Sequence, residues 1–386
     1  MKIQSIRLKN FRNYSDLTLD FPAGIVVFYG ANAQGKTNLM EAFHFLLRGD
    51  SFRPFSTETL MLNRGEGISS QALVAARVTQ GSMVHDLKLT IQDGKKSLLC
   101  NGNRVTALSL ARKFPVVLFS PESLSAIKDG PEQRRQLLDD LLTTHSTTSI
   151  KILKDFNLAL RTRNRILRDF KRGLSSRAQA ESLLDSLDPA FLPLATELTV
   201  ARLKALQDIH SDFHRALRDV LDQPSVDISV DYLISGQNAF NWSRSDLLSA
   251  MHNRAVELRG KELESGLSLV GPQRHDVRIV FAGKDSRFFC SQGQQRAIIL
   301  CFKMAQILYH HRAYQVYPFL LLDDVLSELD PIRRANLVKF LKDIPAQIFI
   351  TTTDLSFSHD FGDRRLNVFR IENGTVRAHE YEPTGI

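Results

Sequence analysis

Apolar and polar residues alternate from Ile3 to Leu8, the period of a half-buried strand. Ile25 to Tyr29 is apolar without a break, as a central strand covered on both faces would be. From Lys36 to Leu47 the period lengthens to that of a helix. Residues 70–79 and 84–92 alternate again and predict a hairpin, with a third strand near Ser97–Cys100. Val116–Phe119 is another buried strand, ended by Ser120-Pro121-Glu122.

Between Pro131 and Glu264 the pattern changes. Glycines become few, and long helical patterns cover Glu132–Leu142, Ser149–Arg172 and Leu194–Leu221. Strand-like content is confined to Val226–Tyr232. This predicts a helical lobe inserted into a sheet domain. Sheet character returns at Leu269–Gly271 and Val277–Ala282. Helix Gln292–Tyr309, strand Pro318–Leu322, helix Pro331–Leu341 and strand Gln347–Thr351 follow. Leu366–Ile371 and Thr375–Tyr381 flank Asn373-Gly374, a pair that supplies the two positive φ angles of a tight hairpin turn. The alternation of strands and helices argues for an α/β sheet. The expected division is 1–122, 123–266 for the helical lobe, and 267–386.

At 386 residues with 43% apolar content, the chain can fold as one large domain or two smaller ones. Fifty basic residues against 42 acidic ones leave a charge of +8, which favours an anionic partner, nucleic acid before membrane surface. Cys100, Cys290 and Cys301 have no CxxC spacing and read as reduced thiols. No apolar run approaches the ~20 residues of a membrane span. The first residues lack the apolar core of a signal peptide, so the expectation is a cytoplasmic protein without a membrane partner. The histidines show no metal spacing, and neither a GxSxG elbow nor a Cys/His dyad is visible.

Basic charge concentrates in residues 151–177, where nine basic residues, Arg163 among them, face two acidic ones. Arg161, Arg165, Arg168 and Arg172 recur at the spacing of one helical face. Such a stripe can neutralise DNA phosphates without reading sequence, and it equally suits a solvated helix face.

The sharpest chemistry lies in three short segments. Gly30-Ala31-Asn32-Ala33-Gln34-Gly35-Lys36-Thr37 follows a buried strand and opens a helix, the context that a phosphate-binding loop requires. Its glycines let backbone N–H groups face a phosphate, and the helix start adds positive potential. Lys36 supplies a point charge to the β/γ-phosphates of ATP, and the Thr37 hydroxyl suits Mg²⁺. Much later, Leu320-Leu321-Leu322-Asp323 is a buried strand ending in a carboxylate that can reach the same metal. Asp324 follows as the candidate to orient an attacking water. It is one methylene shorter than the Glu more usual in ABC-type ATPases, which predicts slow hydrolysis. Ser291-Gln292-Gly293-Gln294-Gln295 looks like the ABC signature. The Ser291 hydroxyl and the Gly293 backbone N–H at a helix start make an anion site, which in that class serves the nucleotide of a second subunit, with Gln294 a further candidate contact.

Together these segments resemble the RecF family of bacterial DNA-repair ATPases, and the likeness runs nearly end to end. Leu8-Lys9-Asn10-Phe11-Arg12-Asn13-Tyr14 is similar to the family's opening. The phosphate loop continues into Asn38-Leu39-Met40-Glu41-Ala42 in the family manner. Phe119–Glu122 with Arg134-Arg135, Leu269–Pro272, Leu321–Asp330 and Thr351–Asp354 fit as well. The resemblance implies an ABC-type ATPase head with an inserted helical lobe. It puts Arg12, Asn13 and Asn38 near the nucleotide. It makes Ser327 and Asp330 part of a D-loop that crosses a dimer interface. Thr352 or Thr353 stands where transporter ATPases carry a switch histidine. Gln273 and His275 depart from the family's pattern after Gly271-Pro272. The implied activity is ATP-driven homodimerisation that clamps gapped, single-stranded or double-stranded DNA, with a weak DNA-dependent ATPase. RecO, RecR and RecA are the implied partners in post-replication gap repair. A transporter subunit would require a coupling helix and usually that histidine. A fused nuclease would require more chain after Asp330 and an acidic cluster.

Overall fold

The computed structural model describes residues 1–22, 24–53, 56–62, 71–221, 227–362, 364 and 366–379. Of the expected strand residues, Ser70, Val226, Glu380 and Tyr381 lie outside this set. The chain forms two units. The first holds Met1–Ser125, Arg215–Pro224 and Arg296–Ile386; the second holds Ala126–His214 and Ser225–Gln295. The expected boundaries were 122/123 and 266/267. Residues up to Gln295 group with the second unit, because strand Asp276–Phe281 pairs there with Ile228–Ile234.

The first unit contains two six-stranded sheets. One runs in the order Thr375–His379, Leu366–Glu372, Ile25–Tyr29, Ile348–Thr352, Phe319–Asp323, Val116–Phe119. Its strands are parallel except at the Thr375–His379 edge. Phe319–Asp323 and Ile348–Thr352 are buried at every residue, which explains why both read as unbroken apolar runs. The register pairs Asp323 with Thr351, and Thr352 with Tyr29. These residues therefore share the carboxyl edge of the sheet, where open α/β sheets bind ligands. The edge hairpin turns at Asn373 and Gly374 with φ of 48° and 75°, as the Asn-Gly pair predicted.

The second sheet is antiparallel, in the order Tyr14–Asp20, Lys2–Phe11, Gln71–Gln80, Met83–Gln92, Lys95–Cys100, Asn103–Arg104. Tyr14–Asp20 was not singled out from the sequence; its burial alternates about two aspartates. A core of Phe21, Phe28, Phe43, Phe349 and Phe369 joins this sheet, helix Lys36–Arg48 and the parallel sheet. Gln347 completes the join: its amide accepts from Ile3 N at 2.6 Å and donates to Ile3 O at 3.0 Å.

The second unit carries helices Pro131–His145, Thr147–Lys171, Arg244–Ser265 and most of Arg177–Leu221. A four-stranded sheet accompanies them, in the order Gln237–Asn238, Ile228–Ile234, Asp276–Phe281, Lys284–Asp285. Arg177–Leu221 spans 45 residues and starts well before the expected Leu194. Pro189 and Pro193 lie inside it, and each removes one ladder bond. Buried Leu184, Phe191, Ala195 and Leu198 keep the helix continuous through them. Arg244–Ser265 was not singled out, because its charged residues dilute the apolar stripe. Leu269–Gly271 is not a strand as expected. There the Val270 carbonyl accepts from Ser268 and Gln273 side chains, and Leu269 N donates to Glu262, so the backbone groups are taken.

Candidate functional site

Strand Ile25–Tyr29 delivers the chain to Gly30, and helix Lys36–Arg48 begins after Gly35. Two residues of this loop, Ala33 and Gly35, adopt positive φ of 64° and 112°. Gly30 is required by packing, and Gly35 chiefly by its positive φ. A Cβ on Gly30 would lie 2.3 Å from the Ile371 carbonyl oxygen, and one on Gly35 would lie 2.4 Å from Asn13 Nδ2. The helix receives no side-chain cap at Gly35 and no acidic residue in its first turn. Its first N–H groups thus remain suited to an external anion.

Neighbouring segments hold the loop from outside. Tyr14 Oη donates to Gly35 O at 2.9 Å, and burial pushes that phenol up. Asn13 Nδ2 donates to Gln34 O at 3.3 Å. The Asn373-Gly374 turn donates twice to Gln34, from Asn373 N to Oε1 at 2.6 Å and from Gly374 N to the carbonyl at 3.2 Å. Gln34 Nε2 reaches Asn32 O at 3.4 Å.

Lys36 is buried, and its ammonium donates to Gly30 O at 2.7 Å and Ala31 O at 2.8 Å. Burial lowers its pKa, while Asp324 and Asp323 pull it back up. Asp323 Oδ1 accepts from Thr37 Oγ1 at 3.1 Å and from Thr351 Oγ1 at 2.7 Å. Burial raises the Asp323 carboxyl, the two threonines lower it, and nearby Glu122 and Asp324 raise it further. Thr351 Oγ1 also accepts from Asp324 N at 2.9 Å. Asp324 lies in the left-handed region with φ of 52°, and Ser327 Oγ donates to its Oδ1 at 3.0 Å.

Thr351 has no role of its own in the sequence beyond the likeness of Thr351–Asp354, yet it is the threonine that links Asp323 to Asp324. Thr352 instead closes a local turn with Asp354, and Thr353 is exposed. Glu41 is a second residue given no role by the sequence. It is fully buried and accepts a two-pronged bond from Arg12, both prongs at 2.7 Å, with Ser51 and Arg53 completing its shell. Burial pushes its carboxyl up, but these donors bring it below the usual range. Asn38 Nδ2 donates to Asn13 Oδ1 at 2.9 Å, and Asn38 Oδ1 accepts from Arg53 at 2.8 Å. Arg12, Asn13 and Asn38 are therefore gathered around the loop and its helix. A carboxylate between Met40 and Ala42 on an apolar helix was the available signal, because such a group demands a cation.

Ser291, Gly293 and Gln294 belong to the second unit. Ser291 Oγ accepts from Gln294 N at 3.2 Å, and Gln294 Oε1 accepts from Ser291 N at 2.9 Å, a reciprocal cap on helix Gln292–Tyr314. In the first unit Asp330 caps helix Pro331–Asp343 through Arg333 N at 3.0 Å.

Arg161, Arg165, Arg168 and Arg172 are all exposed along and just past helix Thr147–Lys171. Arg163, counted in the same basic stretch, is fully buried and paired with Glu262 and Asp188. Cys100, Cys290 and Cys301 are free. Among the described residues no helix is long and apolar enough to cross a membrane, and no group of three His, Cys, Asp or Glu could hold a metal ion.

The chain matches the RecF/RecN/SMC N terminal domain family over residues 2–377. It is 35% identical over 381 residues to the DNA replication and repair protein RecF of Heliobacterium modesticaldum, covering 97% of this chain and 99% of that protein. The solved recombination mediator protein RecF-ATPrS of the RecFOR pathway superposes with a TM-score of 0.83 at 28% identity, over 98% of both chains. The Smc head domain from Pyrococcus furiosus, bound to a domain of ScpA, superposes with a TM-score of 0.53 at 17% identity, over 98% of this chain and 95% of that one, and shares the fold. With a phosphate-loop geometry on an ABC-type sheet and a match that is nearly full length, this chain belongs to the RecF family of DNA replication and repair proteins.

Proposed function

We propose that the chain is an ATP-operated DNA clamp with slow hydrolysis. The observation that carries this is the meeting of Thr37 and Asp323 at 3.1 Å beside Lys36, from segments nearly three hundred residues apart. Lys36 binds the β/γ-phosphates, and the N–H groups from Gly30 to Asn38 cradle them. Thr37 and Asp323 suit Mg²⁺: both are hard oxygen donors, and Asp323 sits buried beside like-charged Glu122 and Asp324. That ion would neutralise charge on the phosphate oxygens when bound.

Asp324 orients the water that attacks the γ-phosphorus, releasing ADP and phosphate. Its bonds to Ser327 and, through its N–H, to Thr351 support that role. Ser291, Gly293 and Gln294 contact the nucleotide of a second copy, and Ser327 and Asp330 lie at the same seam. Arg161, Arg165, Arg168 and Arg172 carry DNA phosphates; their shared exposure supports this. One solved relative is RecF with ATP and another is RecF-ATPrS, both of the RecFOR pathway, which supports ATP as substrate and RecO and RecR as partners here; RecA is carried only by the family resemblance.

The test combines DNA-binding anisotropy with sedimentation, with and without ATP, for the wild type, Lys36→Arg and Ser291→Arg. ATP should drive dimerisation and tight DNA binding, and both variants should abolish it. Equal DNA binding by a monomer without ATP would refute the clamp. Turnover above about 10 s⁻¹ without partners, an ordinary enzyme rate, would refute slow hydrolysis.

A further inference from the structure

We infer that Phe288 and Phe289 are the apolar anchors by which a second copy of this chain docks beside the signature, an inference that rests on the proposed role of Ser291 at the partner's nucleotide. Phe288 is 75% exposed and Phe289 is 65% exposed, and they stand three and two residues before Ser291. Exposed aromatic rings cost solubility unless something covers them.

These rings are not on a slack loop. The turn that presents them is bonded from beneath. Gln295 Nε2 donates to Ser286 O at 2.9 Å, to Arg287 O at 3.2 Å and to Cys290 O at 3.3 Å. Gln295 and Ser286 are both buried. Arg287 is fixed by Asp285, whose Oδ1 accepts from its N–H and its Nε at 3.0 Å each, and it reaches Asp276 Oδ2 at 3.2 Å. Asp276 in turn takes both prongs of Arg134, at 2.8 and 2.9 Å. A bonded frame thus holds two aromatic rings out to solvent. Rigid, pre-placed aromatics lose little entropy on docking and are the residues that dominate binding energy at interfaces.

Two observations favour a second copy over a nucleic acid as the occupant. The D-loop, the other segment proposed for the dimer seam, also carries an exposed apolar residue: Ile332 is 68% exposed, two residues after Asp330. Apolar exposure thus flanks both segments proposed for that seam. The cation over the Phe288 ring is Arg287, with Cζ 5.3 Å from the centroid, and two aspartates already occupy it. Arg287, already paired, therefore offers little to a phosphate backbone; Lys284, with Nζ 5.2 Å from the Phe289 centroid, is the cation beside the second ring.

The experiment is sedimentation velocity with a non-hydrolysable ATP analogue, comparing wild type with Phe288→Ser/Phe289→Ser and with Phe288→Leu/Phe289→Leu. The serine double variant should weaken the apparent dimer constant by about 100-fold or more, as loss of interface hot spots does. The leucine variant should keep most of the affinity, because it keeps most of the apolar area. Nucleotide affinity of the monomer and the melting temperature should not change in either. A serine variant that dimerises like wild type overturns the inference and leaves the clamp standing. An intact dimer with weakened DNA binding also overturns it and makes the pair a base-stacking platform. A wild type that stays monomeric with nucleotide removes the clamp reading and this inference with it.

Discussion

Arg163→Met tests whether one arginine of the basic stretch serves the core and not the surface. Arg163 is fully buried. It donates to Glu262 Oε1 at 2.7 Å and Oε2 at 3.0 Å, to Asp188 Oδ1 at 3.2 Å, and to Ser268 Oγ at 3.1 Å. Its guanidinium lies 5.1 Å from the Phe191 ring centroid. Methionine would fill much of the volume and none of the charge. Asp188 keeps Arg259 at 2.8 Å, so its loss is partial. Glu262 keeps Leu269 N and Ser268 Oγ on Oε1, but Oε2 has no other partner among the described residues. A buried carboxylate stranded this way costs about 3–5 kcal/mol. For a unit of this size that corresponds to a melting shift of roughly 10 °C. The assay is urea and thermal unfolding, with Arg165→Met as control. Arg165 is 81% exposed, and its loss should stay within about 0.5 kcal/mol. Adding Glu262→Met to Arg163→Met removes the stranded charge and should recover at least half the loss. If Arg163→Met melts within about 2 °C of wild type, or if the double variant is no better than the single, the buried-pair argument fails.

Burial and like charge raise the Asp323 carboxyl, so its ionised form opposes folding and that cost fades as pH falls through the raised pKa. Nucleotide-free Asp323→Asn should therefore melt above wild type at pH 8, with the gap closing on acidification, and should lose magnesium-dependent ATP binding; a lower melt at pH 8 contradicts this. His275 is buried, and desolvation with Arg202 and Arg135 lowers its pKa to about 3. Because its folded value is depressed, the stability it supports is complete above pH 6.5 and declines as pH falls toward 3. At pH 4.5 the loss is about 2–3 kcal/mol. Unfolding of His275→Gln should show a flatter acid limb, and an unaltered limb would count against the burial argument. Charge reversal at Arg161, Arg165 and Arg168 should weaken DNA binding and flatten its salt slope by about 2–3, since each phosphate left unneutralised lowers that slope by about one; unchanged affinity at low salt takes this helix off the DNA surface.

Much of the site is legible in the sequence alone. The phosphate loop needs glycines at fixed spacing: the Ile371 carbonyl leaves no room for a Cβ at Gly30, and the φ of 112° at Gly35 disfavours any other residue. The strand before the loop and the strand carrying Asp323 are buried on both faces, so their apolar runs are continuous and easy to read. The Asn373-Gly374 turn follows from backbone sterics alone. These features depend on local geometry, and local geometry is written in neighbouring residues.

Other features come from residues far apart in the chain, and no local pattern records them. Arg163 and Arg165 look alike in the sequence; only the packing of three helices decides that one is a core ion pair and the other is solvated. Glu41 draws its donors from Arg12, Ser51 and Arg53. Thr351 becomes the link to Asp323 because parallel pairing puts those two residues side by side. Helix Arg177–Leu221 runs through two prolines because its buried face outweighs two missing backbone bonds. The sequence by itself therefore determined the chemistry that Gly30–Thr37 and Asp323 can perform. The tertiary structure decided which charges are buried and which partners hold them, because burial is a property of the whole packed chain.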